Sequence, residues 1–497
     1  MYSGRILEYF CNLKHKLTVQ SIALHRVCAN GGIIMDCENG ISRLAKENSA
    51  KPETDAYKRL SFLFDGGVYT EIDRFAKNGD AGCGVVAAYG NVNGAGTYAY
   101  SQDVTEFSGA MNRAQAAKIA KVYDLALKNG CPVVGIFDSK GAFADDGVDA
   151  LNAYGELIAA AGRLSGVVPM ISVVSGACVG SAAVLANIAD ATVMTENAEL
   201  CLRSSAVTGN GKVGTAQSAA KSGLADVIAA DDSSAMESVA AILAALPSNN
   251  LSVPSVADYV PAVSSGDGMD ASVSSVIDEN SFFELLAEYG KCAKVGFARI
   301  AGESVGVVAA GGYGNDDRIC GEGASKIARF VRFCDAYSLP VVTFIDCVGF
   351  MGDDDEELGG SLKAVSALTA AYSEATTAKV SIITGKAYGL AYTALAGKAS
   401  GTDVAIALAD AAICALEPMT AVQFLYKDRL DNEKREDLEK EYALCEGSPL
   451  KAAENGGINA VVTSEDLTQS VIAALDMLAS KRVSTLDKKH SNLPIYR

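Results

Sequence analysis

Residues 116–143 read AAKIAKVYDLALKNGCPVVGIFDSKGAF, and residues 169–182 read PMISVVSGACVGSA. The same passage returns further along as ASKIARFVRFCDAYSLPVVTFIDCVGF (324–350) and KVSIITGKAYGLA (379–391). Lys118 and Lys326, Pro132 and Pro340, Asp138 and Asp346, and Gly141 and Gly349 are each 208 positions apart. One added residue then brings Gly176, Gly180 and Ala182 onto Gly385, Gly389 and Ala391 at 209. A register kept that long is a duplication, so fold and function are to be read from what both copies keep.

Each copy contains a helix, a Pro-entered β-branched strand ending in Asp-x-x-Gly, a second helix, and a strand running into a Gly turn. PVVGIFD and PVVTFID are continuous apolar runs, the pattern of strands covered on both faces, and they alternate with helix-length segments. That predicts α/β layering with parallel pairing. Where such strands turn on Gly into a helix, backbone N–H groups are left without intrahelical partners. Two of them converging on one point form an oxyanion hole.

Working outward, FDGGVYTEI (64–72) is echoed by IDENSFFEL (277–285), with the same six-residue step from Asp65 to Glu71 and from Asp278 to Glu284. Paired strands follow in each copy, with Asn-Gly and Ala-Gly-Glu as hairpin turns. Residues 1–49 read as an N-terminal arm, helical or disordered. Two domains are expected, 50–255 and 256–497, joined through a Ser-, Pro-, Gly- and Asp-rich linker over 246–270. Beyond Glu417 the pattern predicts a charged helix over 427–444, a glycine loop, a last helix near 467–480 and a basic tail.

Bulk properties narrow the function. A net charge of −18 argues against nucleic acid and anionic membrane surfaces, which recruit basic patches. The thirteen cysteines are scattered, with no Cys-x-x-Cys, and read as reduced thiols of a cytoplasmic protein. Residues 164–189 carry no charge for 26 positions, but Pro169 and three glycines make them a buried strand, a turn and a buried helix, not a membrane span. The only histidines are His15, His25 and His490, outside the repeated core, which speaks against a Ser-His-Asp triad, a Cys-His pair or a His-based metal site. There is no phosphate loop and no dinucleotide fingerprint. The acidic run 353–357 reads as a solvated face, and no metal site is expected. What remains is backbone amide chemistry suited to an enolate.

At this point a family resemblance emerges. SQDVTEFSGAMNRAQAAKI (101–119), DSKGAFADDGVDALNAYGE (138–156), LPSNN (246–250), GFARI (296–300), ARFVRFCDAYSLPVVTFIDCVGF (328–350), YSEATTAKVSIITGKAYGLAY (372–392) and the tail KKHSNLP (488–494) resemble the carboxyltransferase subunits of biotin-dependent acyl-CoA carboxylases and decarboxylases. The likeness is to propionyl-CoA carboxylase β and methylmalonyl-CoA decarboxylase α subunits. It implies a tandem duplication of two crotonase-type (ββα superhelix) domains. The N-terminal domain would receive the acyl-CoA thioester and the C-terminal domain biotin, at a site where two subunits of a hexamer, a trimer of dimers, meet.

Carried over by position, the amides near Gly141, Ala142, Gly180 and Ser181 would hold the thioester oxygen. Those near Gly349, Phe350, Gly389, Leu390 and Ala391 would hold the ureido oxygen of biotin, with the cofactor itself acting as base. The sequence has no Met-Lys biotin-attachment motif and no ATP-binding loop. A biotin carrier protein, with a biotin carboxylase subunit or membrane decarboxylase subunits, is therefore the expected partner. Arg203, Lys212 and Lys221 are candidates for CoA phosphates. Departures from the family fall at the site: Lys140 and Phe143 flank Gly141-Ala142, Gly-Ser and Gly-Leu replace Gly-Gly, and Cys-Gly-Glu-Gly-Ala (320–324) replaces an acidic-Ala-Ser motif. A Leu is costly if its φ is positive. A biotin-independent crotonase-type enzyme, or a non-catalytic subunit of the complex, is the alternative. A zinc-ribbon acetyl-CoA carboxylase subunit is excluded by the missing cysteine pairs.

Overall fold

Both Pro-entered apolar runs fold as buried parallel strands at the centre of a sheet. The computed structural model describes residues 53–483 apart from 80, 267 and 314–316, together with residues 42, 44 and 45 of a short helical stretch. The expectations for the arm 1–49, for the three histidines and for the basic tail thus fall largely or wholly outside the described residues.

The first sheet comprises β1 (Tyr69–Ile72), β2 (Val85–Val92), β3 (Ala95–Gln102), β4 (Val133–Ser139), β5 (Met170–Val179), β6 (Ala191–Thr195), β7 (Glu199–Cys201) and β8 (Val227–Ala229). Its order is β1-β2-β3-β4-β5-β6-β8, with β7 on the far end of β5. The first three strands pair antiparallel and the others parallel. Helix α1 (Asp55–Leu63) precedes the sheet, and α2 (Arg113–Asn129), α3 (Val148–Leu164), α4 (Ser181–Ala186) and α5 (Asp232–Ala245) follow along the chain. α2 forms where it does because Asn112 caps it and Gly130 ends it in the left-handed conformation. Its Ile119, Val122, Tyr123 and Ala126 recur at helical spacing and are buried. In β4, Val133, Val134, Ile136 and Phe137 are all buried, each worth roughly 1.5–3 kcal/mol relative to exposure, so no solvent-facing alternation can survive.

The second sheet repeats the first. β9 (Phe283–Leu285), β10 (Ala293–Ile300), β11 (Glu303–Gly311), β12 (Val341–Cys347), β13 (Lys379–Tyr388), β14 (Val404–Leu408), β15 (Ala412–Cys414) and β16 (Ala460–Val462) run in the order β9-β10-β11-β12-β13-β14-β16, with β15 on the far end of β13. Its helices include α6 (Gly268–Ser274), α7 (Gly321–Ala336), α8 (Ser361–Glu374), α9 (Leu390–Leu395), α10 (Pro418–Leu425), α11 (Arg435–Cys445) and α12 (Leu467–Leu478). This is the tandem α/β duplication expected, down to a register shift around Asp138 in β4 and around Asp346 in β12.

The echoed opening motif has a structural reason. Asp65 accepts the N–H groups of Asn93 (3.0 Å) and Gly94 (2.8 Å), the left-handed residues of the β2–β3 turn. Asp278 does the same for Ala301 (2.9 Å) and Gly302 (2.8 Å) between β10 and β11. One carboxylate locks each hairpin. The uncharged run is β5, a Gly turn and α4, and no helix among the described residues is long and apolar enough to cross a membrane. The charged helix expected over 427–444 is instead broken. α10 ends at Leu425 and α11 begins at Arg435, because Arg429 folds back onto Glu433 (2.7 Å) and Glu441 (2.8 Å) across an intervening turn.

Candidate active site

At the C-terminal end of β4 the chain turns on Gly141, whose φ of 106° lies in glycine territory. Its N–H is engaged by Ser139 Oγ at 3.2 Å. The next residue is placed differently. Met111 donates to Gly141 O (2.8 Å) and Phe143 donates to Met111 O (2.8 Å), so the N–H of Ala142, between them, faces the opposite side. Beside this turn β5 ends at Gly180, with φ 64° and ψ −123°. A Cβ added to Gly141 would sit 3.9 Å from Val179 O, which puts the two turns side by side. The Gly180 N–H donates to Cys201 O at 3.0 Å. The first helical bond of α4 is Val184 N–H to Gly180 O (3.1 Å), so the Ser181 N–H precedes the helical ladder.

The second copy reproduces the main-chain bonds around the turns, while Cys347, in the place of Ser139, turns its Sγ to Gly349 O at 3.1 Å. Met351 donates to Ile319 O (2.9 Å), matching Phe143 on Met111, and leaves Phe350 in the position of Ala142. Gly389 (φ 49°, ψ −117°) donates to Cys414 O at 2.9 Å, and Thr393 donates to Gly389 O at 3.2 Å, so Leu390 stands where Ser181 does. Ala142 with Ser181, and Phe350 with Leu390, have N–H groups without a partner among the described residues, whereas Gly141, Gly180 and Gly389 supply the turns. Ala391 is buried behind Leu390. The positive φ falls on Gly389, while Leu390 begins α9 with its side chain 50% exposed, so its bulk imposes no backbone cost.

Residues behind the turns explain the other repeated letters. A Cβ on Gly176 would overlap the Asp138 carboxylate, and one on Gly385 that of Asp346. The Asp138 carboxylate is paired with Arg59 at 3.0 Å, and Asp346 accepts the Lys386 N–H at 2.8 Å. Gly109 and Gly311 press against the carbonyls of the same two aspartates.

The two turn pairs differ in charge. Around the second, Arg318 bonds Glu417 (2.8 Å), and Lys386 bonds Asp317 (2.8 Å), whose carboxylate raises the lysine pKa. Arg318 Nη1 lies 3.2 Å from the place a Cβ on Gly349 would take. The equivalent positions of the first copy are Ala110 and Ala177. Sequence reading passed over Arg318 and Lys386, although the repeat register shows a cation opposite each alanine. Exposed apolar side chains stand at both pairs, Val184 and Leu202 at the first and Leu390 at the second.

Arg203, Lys212 and Lys221 are all exposed, and Arg203 follows Leu202, whose carbonyl lies 3.8 Å from a Cβ built on Gly180. In the acidic run, Asp353 caps the helix Asp354–Gly359, and Glu356 accepts the N–H of Gly321 (2.9 Å) and the hydroxyl of Ser361. No group of three or more His, Cys, Asp or Glu among the described residues is placed to hold a metal.

Residues 48–493 match the carboxyl transferase domain family. The carboxyltransferase subunit of propionyl-CoA carboxylase from Haloferax mediterranei is 32% identical over 496 residues, covering 92% of this chain and 96% of the relative. Methylmalonyl-CoA decarboxylase subunit alpha from Veillonella parvula is 33% identical over 503 residues, with coverages of 92% and 96%. Among solved structures, the transcarboxylase 12S hexamer with methylmalonyl-coenzyme A and methylmalonic acid bound superposes with a TM-score of 0.84 at 28% identity. The match covers 96% of this chain and 98% of that one.

Proposed function

The chain belongs to the carboxyl transferase family, and from that premise we propose that it moves a carboxyl group between biotin on a carrier protein and the α-carbon of a propionyl-CoA/methylmalonyl-CoA type thioester. The observation that carries this reading is the doubled amide pair. One enolate-forming enzyme needs one such pair, and a transfer between two carbonyl compounds needs two. In the forward direction the thioester oxygen gains charge as the α-carbon loses its proton, and Ala142 and Ser181 hold it through their N–H groups. Removing one donor of that kind typically costs a factor of about 10²–10³.

At the second pair, the N–H groups of Phe350 and Leu390 are a donor set for a carbonyl oxygen, and the ureido group of biotin fits that chemistry. Biotin, when bound there, supplies the transferable carboxyl group and the base. Arg318 and Lys386, each paired with a carboxylate (Glu417 and Asp317), place anchored cationic donors beside this pair, where the first copy has Ala110 and Ala177. The exposed apolar side chains at both pairs support a hexamer in which the N-terminal domain (50–255) of one subunit faces the C-terminal domain (256–497) of another. The ordinary φ of Leu390 takes away the backbone argument for a non-catalytic subunit. Ten free cysteines among the described residues fit a cytoplasmic setting.

The test is mass-spectrometric loss of methylmalonyl-CoA, malonyl-CoA and glutaconyl-CoA on incubation with the purified protein, with and without free biotin. Biotin-dependent loss of methylmalonyl-CoA is expected. Loss that ignores biotin would move the protein to the biotin-independent crotonase-type enzymes.

A further inference from the structure

The duplication supplies its own control for an unusual pair of residues. In the first copy α2 is capped by Asn112, whose Oδ1 accepts the Gln115 N–H at 2.9 Å, next to Gly84, whose carbonyl accepts from Gln115 Nε2 at 2.8 Å. The positions 208 later are Cys320 and Cys292. Cys320 now caps α7, its sulfur accepting the Gly323 N–H at 3.4 Å, and Cys292 Sγ lies 3.0 Å from Cys320 Sγ while accepting the Cys320 N–H at 3.2 Å. Sulfur is a weak acceptor, so capping gains nothing from the exchange of Asn for Cys. Two replacements at facing positions have instead brought two thiols into contact.

We propose that Cys292 and Cys320 form a reversible dithiol–disulfide site, whose closure moves the strand that supports the second amide pair. The roles within the pair differ. Cys320 stands at the N-terminus of a sixteen-residue helix, facing the first-turn N–H groups. The Lys326 ammonium, fixed by the carbonyls of Leu286 (2.9 Å), Tyr289 (3.1 Å) and Ala293 (2.9 Å), interacts favourably with both sulfurs. The hydrogen bond from the Cys292 thiol holds the Cys320 thiol below its usual pKa, and the same bond with burial pushes Cys292 up. Burial, Glu356 and Glu322 act in the opposite sense on Cys320 without reversing it. Cys320 is thus the nucleophile and Cys292 the resolving thiol.

Cys320 is only partly buried and Glu322, two residues on, is exposed, whereas Ala324 and Ser325 are buried. Gly321, Glu322, Ser325 and Glu356 line a cavity of about 370 Å³, wide enough for a small hydroperoxide. With hydrogen peroxide as oxidant, the Cys320 thiolate attacks one oxygen, the O–O bond breaks, hydroxide leaves and a sulfenic acid forms. The Cys292 sulfur then displaces the sulfenic oxygen as water, its proton leaving with it. Two thiols and one peroxide yield one disulfide and two waters. Cys320 directly follows Arg318–Ile319, which pairs with Gly349–Phe350, so drawing Cys320 toward Cys292 displaces the ledge beneath Phe350.

The experiment treats the full-length protein with hydrogen peroxide, alkylates the remaining thiols and maps the peptides by mass spectrometry before and after a thiol reductant. A Cys292–Cys320 cross-link is expected, absent from Cys292→Ser and Cys320→Ser and reversed by the reductant. Recovery of both cysteines alkylated or singly oxidised, or a cross-link to another cysteine, would overturn the site. That readout is independent of catalysis, whereas the effect on turnover rests on the carboxyltransferase reading. There, oxidised protein should lose about a hundredfold in rate, the scale of one lost oxyanion donor, and regain it on reduction. Cys320→Asn, which restores the residue of the first copy, should stay active after peroxide. A cross-linked protein with unchanged turnover, or equal loss in Cys320→Asn, would overturn the coupling.

Discussion

Gly176 and Gly180 stand four positions apart and recur together as Gly385 and Gly389, so in the sequence they carry the same weight. The structure separates their reasons. A side chain on Gly176 would enter the space of the Asp138 carboxylate, whereas one on Gly180 would meet only Leu202 O at 3.8 Å. Gly180 is required for its φ of 64°, a backbone state that costs other residues roughly 1–3 kcal/mol. Gly180→Val should therefore fold with a modestly lowered Tm and lose turnover by about 10²–10³, because the Ser181 N–H is re-aimed. Gly176→Ala should lose soluble protein before activity can be measured. Circular dichroism melts and the thioester assay on both variants check this, and an active Gly180→Val would remove the amide assignment at α4. Repetition made both glycines legible. Only the neighbouring atoms, which no repeat records, say which is steric and which conformational.

At the scale of elements, the buried strands, hairpins and Gly turns are readable because apolar runs, turn dipeptides and the 208-residue register all reinforce one another. The broken helix near Arg429 is not, since a charged stretch gives the same local pattern whether one helix or two result, and the ion pairs that decide it join residues up to twelve apart. The joint between the two sheets is equally hidden. Asp190, at the entry to β6, accepts the Tyr337 hydroxyl (2.7 Å) from the end of α7 and the Met170 N–H (2.9 Å) from β5. Arg329 of α7 pairs with Asp226 at 3.0 Å nearby. Burial raises the Asp190 carboxyl to about 6, outweighing the Tyr337 and Met170 hydrogen bonds and Arg329, with Asp226 adding to the rise. Because the folded pKa exceeds the unfolded one, the protonated acid favours the folded state. That contribution is full below about pH 4 and is lost by about pH 6, a swing of about 3 kcal/mol. Asp190→Asn, which keeps an acceptor for Tyr337 but does not titrate, should lack this fall in urea-unfolding free energy between pH 4 and 6.5. Parallel pH curves for the two proteins would assign the titration elsewhere.

For the whole molecule, two half-sites with one topology and different charge invite a test that assigns each to its side and asks whether they meet within one chain or between two. Proline is tolerated at the first helical position, where its missing N–H breaks no helical bond. The residues before Ser181 and Leu390 are glycines, which escape most of the restriction that proline places on its predecessor. Ser181→Pro and Leu390→Pro should therefore each delete one donor while α4 and α9 persist. Each variant alone should be nearly inactive, with the residual Michaelis constant raised for the thioester in the first and for biotin in the second. In a mixed oligomer whose sites pair the N-terminal half of one subunit with the C-terminal half of another, a heterodimer holds one doubly defective site and one intact site. Random assembly makes half the dimers mixed, so the mixture should recover about a quarter of wild-type turnover. Sites closed within a single chain can never be repaired by mixing, because every chain carries its own defect. Denaturing the two variants together, refolding and assaying thus decides the matter. Recovery near a quarter supports the intersubunit site, while activity no higher than the sum of the separate variants would place both amide pairs on the same subunit's site.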